Sequence, residues 1–353
     1  MSVTACLIGK SLPTHSSANS SAESYTPPLN KSEIMVYNGN NDRRISLPQK
    51  GTKMKRRDLI KSAAVIGISL SLPDSLSKVI SFAEAADNPD LVVVTGSSPS
   101  AITRAAVNTL GGIKRFISRG DIVIVKPNMA WDRLPEHAAN TNPDVVSEVV
   151  KLCFEAGARK VKVFDRPVND PRRCYIQSGI AEAAKALGAD VDYMDDRKFR
   201  DMSIRGQALT SWPLYKDIFE ADKIINIPIV KHHGLAKITM AMKNWMGVMG
   251  GSRNTIHQRL DESLADLALV IKPVLTVLDA VRILTANGPQ GGSLNDVKRL
   301  DTVIAGVDQV AVDAYGATLF GMKGSDLGYL RIADMRGLGT MNISKLKIKK
   351  MTI

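Results

Sequence analysis

The side chains best suited to chemistry are concentrated in the segment 223–257. Its apolar start, KIINIPIV, predicts a buried strand, which we expect to break at the following Lys-His-His-Gly. Three of the five histidines of the chain lie in this segment, namely His232, His233 and His257. Loops after the strands of an α/β sheet are where such proteins usually bind their ligands, so the segment is a candidate active site.

The three imidazoles allow two interpretations. Adjacent side chains of an extended segment point to opposite sides, so only one of His232 and His233 faces a given site. In the first interpretation that histidine, His257 and Asp279 ligate a transition metal from separate loops. In the second, the histidines make ordinary hydrogen bonds or transfer protons. The candidate metal ligands are His232, His233, His257 and Asp279, and the candidate catalytic residues are His233, His257 and Lys243.

Lys243 follows His233 by ten residues in the Met-rich sequence MKNWMGVMGG. If residues 238–248 are helical, Met240, Lys243 and Gly247 share one face. A lysine on that apolar face is either a desolvated amine that acts as a nucleophile or covalent anchor, or a lysine that snorkels over the core. The sequence leaves both roles open.

From about residue 90 the chain alternates short β-branched apolar runs with amphipathic segments. This alternation predicts an α/β domain with a largely parallel β-sheet and helices on both faces. One helix start is well defined, because Asn142 suits the N-cap position and Pro143 the first turn. The expected strands are 91–95, 121–125, 160–164, 191–194, 223–229, 274–278 and 302–305, and the expected helices include 100–117 and 177–187.

Polar side chains follow four of these strands, and a parallel sheet brings such strand ends to one edge. Because several are lysines or arginines, we expect one basic crevice that binds an anionic small molecule. Each residue alone could equally be a solvated loop side chain. The segment NGPQGG at 287–292 is either an anion-binding turn or a plain one. The candidate ligand-binding residues are Lys126, Asn128, Asp165, Arg173, Lys231 and Asn244.

Composition narrows the function further. The net charge of +12 favours anionic partners, but aromatic residues are only 5% and no basic run is interleaved with them, which disfavours nucleic acids. The three cysteines form no CxxC, so the sequence predicts no iron–sulfur cluster and no thiolate zinc site. The sequence has no GxGxxG motif after its first strand, no GxxxxGK(S/T) motif and no GxSxG motif. Dinucleotide binding, P-loop NTPase activity and α/β-hydrolase chemistry are therefore disfavoured.

The N-terminal region has a different composition from the rest. Residues 1–53 are rich in Ser, Asn and Pro and are predicted to be disordered, and Met54 is an alternative start to Met1. Residues 54–86 combine Arg56-Arg57, a short apolar run and small residues, which resembles a twin-arginine signal peptide; an amphipathic helix is the alternative. The apolar run is too short to span a membrane. We therefore predict that the twin-arginine translocase exports the protein to the periplasm. Residues 87–353 are expected to form the α/β domain, and the processed protein is not expected to be an integral membrane protein.

Several blocks of the sequence resemble one known family. They are VIVKPNMAWDR, ANTNPDVV, FDRPVNDPRRCYIQSGI, INIPIVKHHGLAKITMAMKNWMGVMGG, NGPQGG and VDQVAVDAYG. Over roughly residues 90–340 they are similar to the bacterial and archaeal family named only as domain of unknown function 362. The resemblance implies a domain but no activity. Many members carry ferredoxin-type cysteine clusters, and this chain departs from them.

A partial similarity extends to the nickel-pincer lactate racemases. They have a histidine, a cofactor-bearing lysine ten residues later and then a further histidine, an order matched by His233, Lys243 and His257. The resemblance implies that Lys243 tethers a nucleotide-derived cofactor and that His233 or His257 is a ligand or an acid–base group. It also implies hydride or proton transfer at a 2-hydroxy acid.

The sequence therefore predicts an exported α/β protein whose basic crevice binds an anionic small molecule, together with a metal or organic cofactor. A racemase-like or redox enzyme is the concrete form of this prediction. The alternative is a non-catalytic periplasmic protein that binds an anion or a metal. Neither the substrate, the metal nor the oligomeric state follows from the residues.

Overall fold

The computed structural model describes residues 33–36, 43–46 and 88–353. The chain divides into two units at residue 73. In the first unit, strands β1 (Glu33–Val36) and β2 (Arg43–Ser46) pair antiparallel. The predicted signal peptide and the rest of the N-terminal extension lie outside the described residues. Within the described ranges, no helix is both long and apolar enough to cross a membrane.

The second unit alternates strands and helices along the chain. Its strands are β3 (Leu91–Thr95), β4 (Ile122–Pro127), β5 (Lys160–Val163), β6 (Asp190–Val191), β7 (Phe199–Ser203), β8 (Ser211–Tyr215), β9 (Lys223–Ile227), β10 (Ile229–His233), β11 (Lys237–Thr239), β12 (Leu275–Leu284), β13 (Val297–Gly306) and β14 (Ile348–Thr352). Its α-helices are α1 (Pro99–Thr109), α2 (Pro143–Glu155), α3 (Pro171–Gln177), α4 (Ile180–Lys185), α5 (Asp217–Glu220), α6 (Ala241–Asn244), α7 (Leu260–Val270), α8 (Gln309–Ala317) and α9 (Gly328–Met335).

Ten of the described strands form one sheet in the order β14-β3-β13-β12-β9-β4-β5-β6, with β10 and β11 attached beside β12. Strand β13 is antiparallel to both of its neighbours, and β11 is antiparallel to β10. The remaining pairs run parallel. The predicted α/β class with a largely parallel sheet is therefore confirmed.

Both faces of the sheet are covered, as the continuous apolar strands require. Alternate residues of β3 enter different cores: Val92 and Val94 pack with helices α1 and α2, whereas Leu91 and Val93 pack in the core that contains α7, α8 and α9. All four side chains are buried. Strand alternation thus divides the core into two layers.

Helix α2 begins where the sequence predicts. The side chain of Asn142 accepts a hydrogen bond from the amide of Asp144 at 2.9 Å, and Pro143 is the first helical residue. The predicted helix 177–187 is shorter in the structure, where it corresponds to α4, and α3 precedes it and ends at Gln177. Gly179 lies between them with φ of +72°, a left-handed conformation that glycine adopts without the steric cost of a Cβ.

Several boundaries in the histidine segment differ from prediction. The apolar strand breaks at Pro228, earlier than expected, and β10 continues it through the lysine and both histidines. Pro228 lacks an amide hydrogen, which explains the interruption of the ladder at that point. Of the predicted helix 238–248, only α6 is α-helical; β11 precedes it, and a 3₁₀ turn, Trp245–Val248, follows it.

Candidate functional site

The carboxyl ends of β4, β5 and β10 meet at one edge of the sheet and surround a cavity of about 170 Å³. This edge is where parallel sheets generally bind ligands. The polar residues among those that line the cavity are Asn128, Trp131, Asp165, Arg166, Lys231, His233, Thr239, Lys243, Asn244, Arg253, Asn254 and His257. Segments that are far apart in the sequence thus line one cavity.

A buried ion pair forms the floor of this region. The Nζ atom of Lys126 lies 2.9 Å from Oδ1 of Asp165, and both side chains are shielded from solvent. Burial lowers the pKa of Lys126, and the Asp165 carboxylate opposes that shift. Gly247 packs directly against the pair: a Cβ at this residue would lie 1.8 Å from Oδ1 of Asp165. Only glycine fits here.

Asn244 connects two neighbouring strands to this pair. Its Oδ1 accepts hydrogen bonds from Lys126 Nζ and Asn128 Nδ2, each at 3.1 Å. Its Nδ2 donates to the carbonyl of Lys126 at 3.1 Å and to Oδ1 of Asn226 at 2.8 Å. All these side chains are buried, so the amide network holds the strand ends in fixed positions.

Lys231 is a second fully buried amine. It donates to Oδ1 of Asn128 at 3.0 Å and to the carbonyl of Ala139. Burial lowers the pKa of Lys231 well below its ordinary value, and the charge of Lys243 lowers it further. Asp165 opposes both effects, but the carboxylate is already paired with Lys126.

Lys243 is the third amine and is 8% exposed. Its Nζ donates to the sulfur of Met246 at 3.3 Å, and within the part of the chain that the structure describes it forms no ion pair. Burial, and secondarily the charge of Arg253, lower the pKa of Lys243 to about 7. About half of these amines are therefore neutral at pH 7.

Helix α6, which carries Lys243, is fixed by a carboxylate from another helix. Asp313 of α8 accepts hydrogen bonds from the amides of Ala241 and Met242 at 2.6 and 3.0 Å. These are the first amides of α6, which have no partner within the helix itself. Burial raises the pKa of Asp313 to about 7, against the effect of the two amides. Asp313 thus anchors the segment that positions Lys243.

His233 and His257 lie against each other at the cavity. Nδ1 of His233 accepts hydrogen bonds from the amides of Leu235 and Ala236, both at 3.1 Å, so the proton of the neutral ring is on Nε2. Burial, followed by the charge of Lys243, lowers the pKa of His233 to about 3. Nδ1 of His257 donates to the carbonyl of Asn254 at 2.9 Å, which leaves Nε2 of the neutral ring as an acceptor.

Arg253 links two of the loops that surround the cavity. It donates to the carbonyls of Arg166, Met246 and Pro167 at 2.7, 3.1 and 2.6 Å. Arg166 in turn donates to the carbonyl of Met249 at 2.7 Å. The guanidinium groups therefore hold the loop after β5 against the segment that follows α6.

The four candidate metal ligands do not converge. Asp279 lies inside β12 and accepts hydrogen bonds from the amides of Asn142 and Val281 at 2.7 and 2.9 Å. Nδ1 of His232 accepts from the amide of Gly288 at 3.1 Å, on the other side of β10 from the cavity. Across the described residues, no group of three or more His, Cys, Asp or Glu side chains is arranged to hold a metal ion. Strand alternation separates the histidines, and amide caps occupy the carboxylate.

Arg173, a candidate anion ligand, lies outside the cavity lining. Its side chain is 64% exposed and pairs with Asp132 at 2.7 Å. The other predicted ligand residues lie at the cavity or directly beneath it. Arg253, Thr239, Gly247 and Asp313 were missed as functional candidates. Arg253 was the easiest to find, since it lies four residues before His257 in the same window.

Comparison with known proteins places the chain in a family. Residues 123–318 match the model of the family described as Domain of unknown function (DUF362). The chain belongs to this family. A relative of this DUF362 protein is a thylakoid-associated protein of Synechocystis sp., which is 28% identical over 221 residues, 60% of this chain and 67% of the relative.

Two solved structures are similar to the DUF362 chain at low identity. The lactate racemase apoprotein from Thermoanaerobacterium thermosaccharolyticum is 12% identical, with a TM-score of 0.39 over 68% of this chain and 56% of the racemase chain. A structural-genomics protein from Thermotoga maritima is 9% identical, with a TM-score of 0.36 over 64% and 60% of the two chains. The match thus spans little more than half of each solved chain.

Proposed function

We propose that the cavity binds a small anionic molecule and that Lys243, His233 and His257 act on it as an enzyme site. The observation that carries the proposal is the excess of buried cationic groups over carboxylates. The side chains of Lys126, Lys231 and Lys243 are buried, and that of Arg253 is half-buried, around one carboxylate, Asp165. Burying unpaired charge is costly, and an anion in the cavity would offset that cost.

An unpaired polar atom also supports a ligand in this place. Thr239 lines the cavity and is 3% exposed, yet its Oγ1 has no hydrogen-bond partner within the described chain. A buried hydroxyl without a partner is uncommon in proteins. A carboxylate or carbonyl oxygen of the bound molecule would supply that partner.

The size of the cavity restricts the ligand. The cavity has a volume of about 170 Å³. It is smaller than the pockets that bind cofactor-sized molecules. A cavity of this volume suits a small molecule better than a nucleotide-derived cofactor. The size of the cavity supports an organic acid of a few carbon atoms as the ligand.

The residues present also fit a protein-bound metal poorly. Nδ1 of His233 is occupied by two amide hydrogens, so its neutral Nε2 carries a proton and has no lone pair for a metal. Of the two imidazoles that line the cavity, His257 offers a ring nitrogen with a free lone pair. We therefore derive no step through a metal, and the acid–base roles of the two imidazoles take its place.

In the enzyme that we propose, each group has a separate task. Lys231 and Arg253 provide positive charge for the anion, Nε2–H of His233 donates to a substrate oxygen, and Nε2 of His257 accepts a proton. Lys243 supplies a neutral amine next to them. Proton transfer at a carbon atom next to a carboxylate or carbonyl group is the reaction class that this set supports, and it includes racemase-like chemistry. The alternative is a binding protein with the same cavity and no turnover.

Isothermal titration calorimetry with lactate, sulfate and phosphate tests anion binding. We expect wild-type protein to bind at least one of them, and Lys231→Met and Lys243→Met to weaken that binding about tenfold or more, equivalent to about 1.4 kcal/mol. Lys151→Met is the matched control, because Lys151 is an exposed lysine on α2. Circular dichroism establishes that each variant is folded. No binding by wild-type protein at about 10 mM ligand would overturn the proposal.

We also propose that the protein is exported by the twin-arginine translocase. Support comes from the Arg56-Arg57 sequence and its short apolar run, and the thylakoid-associated relative adds weight to a location at or beyond a membrane. Fusing residues 54–86 to a fluorescent reporter in a bacterial host tests this. Export that is lost in the Arg56→Lys, Arg57→Lys double variant supports it, and a reporter retained in the cytoplasm contradicts it.

A further inference from the structure

The setting of Lys243 differs from that of the other buried amines. Lys126 has the Asp165 carboxylate at 2.9 Å, and Lys231 donates to two oxygen atoms. The Lys243 amine contacts only a thioether sulfur among the groups that hydrogen-bond to it in the described chain. A thioether is a weak acceptor, so this nitrogen keeps its lone pair accessible whenever it is neutral.

The surroundings of this amine suit addition to a carbonyl group. Lys231, whose pKa is lowered by burial and by the charge of Lys243, provides a counter-charge for a carboxylate in the same cavity. His233 and His257 present one N–H donor and one free ring nitrogen beside it. A molecule that carries both a carboxylate and a carbonyl would satisfy all of these groups at once.

We propose that Lys243 forms an imine with a small 2-oxo acid or aldehyde acid held in the cavity. This inference rests on the proposed anion binding and adds the substrate class and the nucleophile to it. A cavity of about 170 Å³ has room for molecules the size of glyoxylate or pyruvate. Lysine amines in apolar, cation-lined sites are established nucleophiles of this kind.

The reaction balances without an oxidant or reductant. The amine nitrogen of Lys243 adds to the carbonyl carbon, the carbonyl oxygen takes up one proton, and the nitrogen loses one. The resulting hydroxyl then leaves as water with the second amine proton while the carbon–nitrogen double bond forms. His257 Nε2 can accept a proton from nitrogen, and His233 Nε2–H can donate a hydrogen bond to the departing oxygen.

Two further observations support the assignment. The pKa of Lys243 is lowered to about 7, so a large fraction of the amine is already neutral at pH 7. An exposed lysine keeps a pKa near 10.4 and is almost entirely protonated there. The hydrogen bonds from α6 to Asp313 also fix the position of the segment that carries Lys243. Holding a nucleophile in a fixed position next to the carbonyl carbon lowers the entropic cost of the reaction.

Imine trapping tests the inference directly. Wild-type protein is incubated at pH 7 with pyruvate or glyoxylate, reduced with borohydride, and examined by intact-mass measurement and peptide mapping. We expect at least about tenfold more adduct at Lys243 than at the exposed Lys151, because the cavity holds the oxo acid next to Lys243 and burial lowers the pKa of this amine to about 7. Excess lactate, which has the carboxylate but no carbonyl, should suppress the adduct.

The Lys243→Arg variant separates binding from bond formation. Arginine keeps the positive charge but does not form this imine, so lactate binding should persist while the Lys243 adduct disappears. Lactate binding by wild-type protein without preferential labelling of Lys243 by either oxo acid would overturn the imine and leave the proposed anion site standing. Failure of every anion to bind would instead overturn the proposed function. The wild-type mapping is decisive even if the variant does not fold.

Discussion

The rings of His233 and His257 lie nearly parallel, with centroids 5.8 Å apart and planes 10° from each other. The first ring is fixed by two backbone amides and the second by one backbone carbonyl. Backbone groups rather than other side chains therefore set which nitrogen of each imidazole carries a proton. At the cavity, the neutral pair therefore presents one hydrogen-bond donor, Nε2–H of His233, and one acceptor, Nε2 of His257.

The buried, neutral state of His233 predicts acid sensitivity. Its pKa is about 3 in the folded protein and near 6.5 when unfolded, so the unfolded chain binds more protons between these values. Stability should consequently fall as the pH decreases from about 6.5, by up to about 1.4 kcal/mol per pH unit from this residue. The free energy of unfolding measured by urea titration at several pH values tests this.

His233→Gln is the matched variant. The side-chain amide oxygen of glutamine can accept hydrogen bonds from the same two backbone amides, and this side chain does not titrate. The stability difference between wild type and His233→Gln should move in favour of the variant as the pH falls from 6.5 to 4. A pH-independent difference would show that the pKa of His233 is the same in the folded and unfolded protein, and would contradict the prediction.

Gly247 should tolerate no side chain. A Cβ there would lie 1.8 Å from Asp165 and 2.7 Å from Nζ of Lys126, so the buried ion pair would have to move. We expect Gly247→Ala to lower the free energy of unfolding by roughly 2 kcal/mol or more and to weaken anion binding. Gly234→Ala is the control, because no atom lies within 4 Å of its Cβ position. Equal thermal stability of the two variants would contradict the prediction.

Anion affinity should depend on pH through Lys243. A bound anion favours the ammonium form, whereas the free amine has a pKa of about 7. Affinity for lactate should thus be highest below pH 7 and fall as the pH rises above it, by at most about tenfold per pH unit for each linked proton. Lys231 titrates in the same direction, since burial lowers its pKa as well. Calorimetry between pH 6 and 9 measures the trend, which Lys243→Met should flatten.

Asp313 should support the site from a distance. Asn in its place can accept only one of the two α6 amides through its oxygen, and its NH₂ group would face the other. We expect Asp313→Asn to cost about 1–3 kcal/mol of stability and to weaken lactate binding. Asp192→Asn removes the same charge at an exposed residue and should change neither measurement. Identical unfolding midpoints for the two variants would argue against the anchoring role.

The sequence by itself determined the class of fold and indicated one of the segments that line the cavity. Alternating apolar runs and helices are local patterns, and they led correctly to a largely parallel sheet covered on both faces. The Asn142-Pro143 helix start is also local, since a cap is completed by its own first turn. The clustering of His233, Lys243 and His257 marked the region that now borders the cavity.

Only the tertiary structure decided which charges are paired and which are free. Lys126 and Lys231 are both lysines near strand ends, but the first meets Asp165 and the second does not, because their partners come from other strands. Arg173 pairs with Asp132 on the surface, and Asp279 caps amides instead of joining the histidines. Ion pairing and burial depend on contacts between distant residues, and no local sequence pattern contains that information.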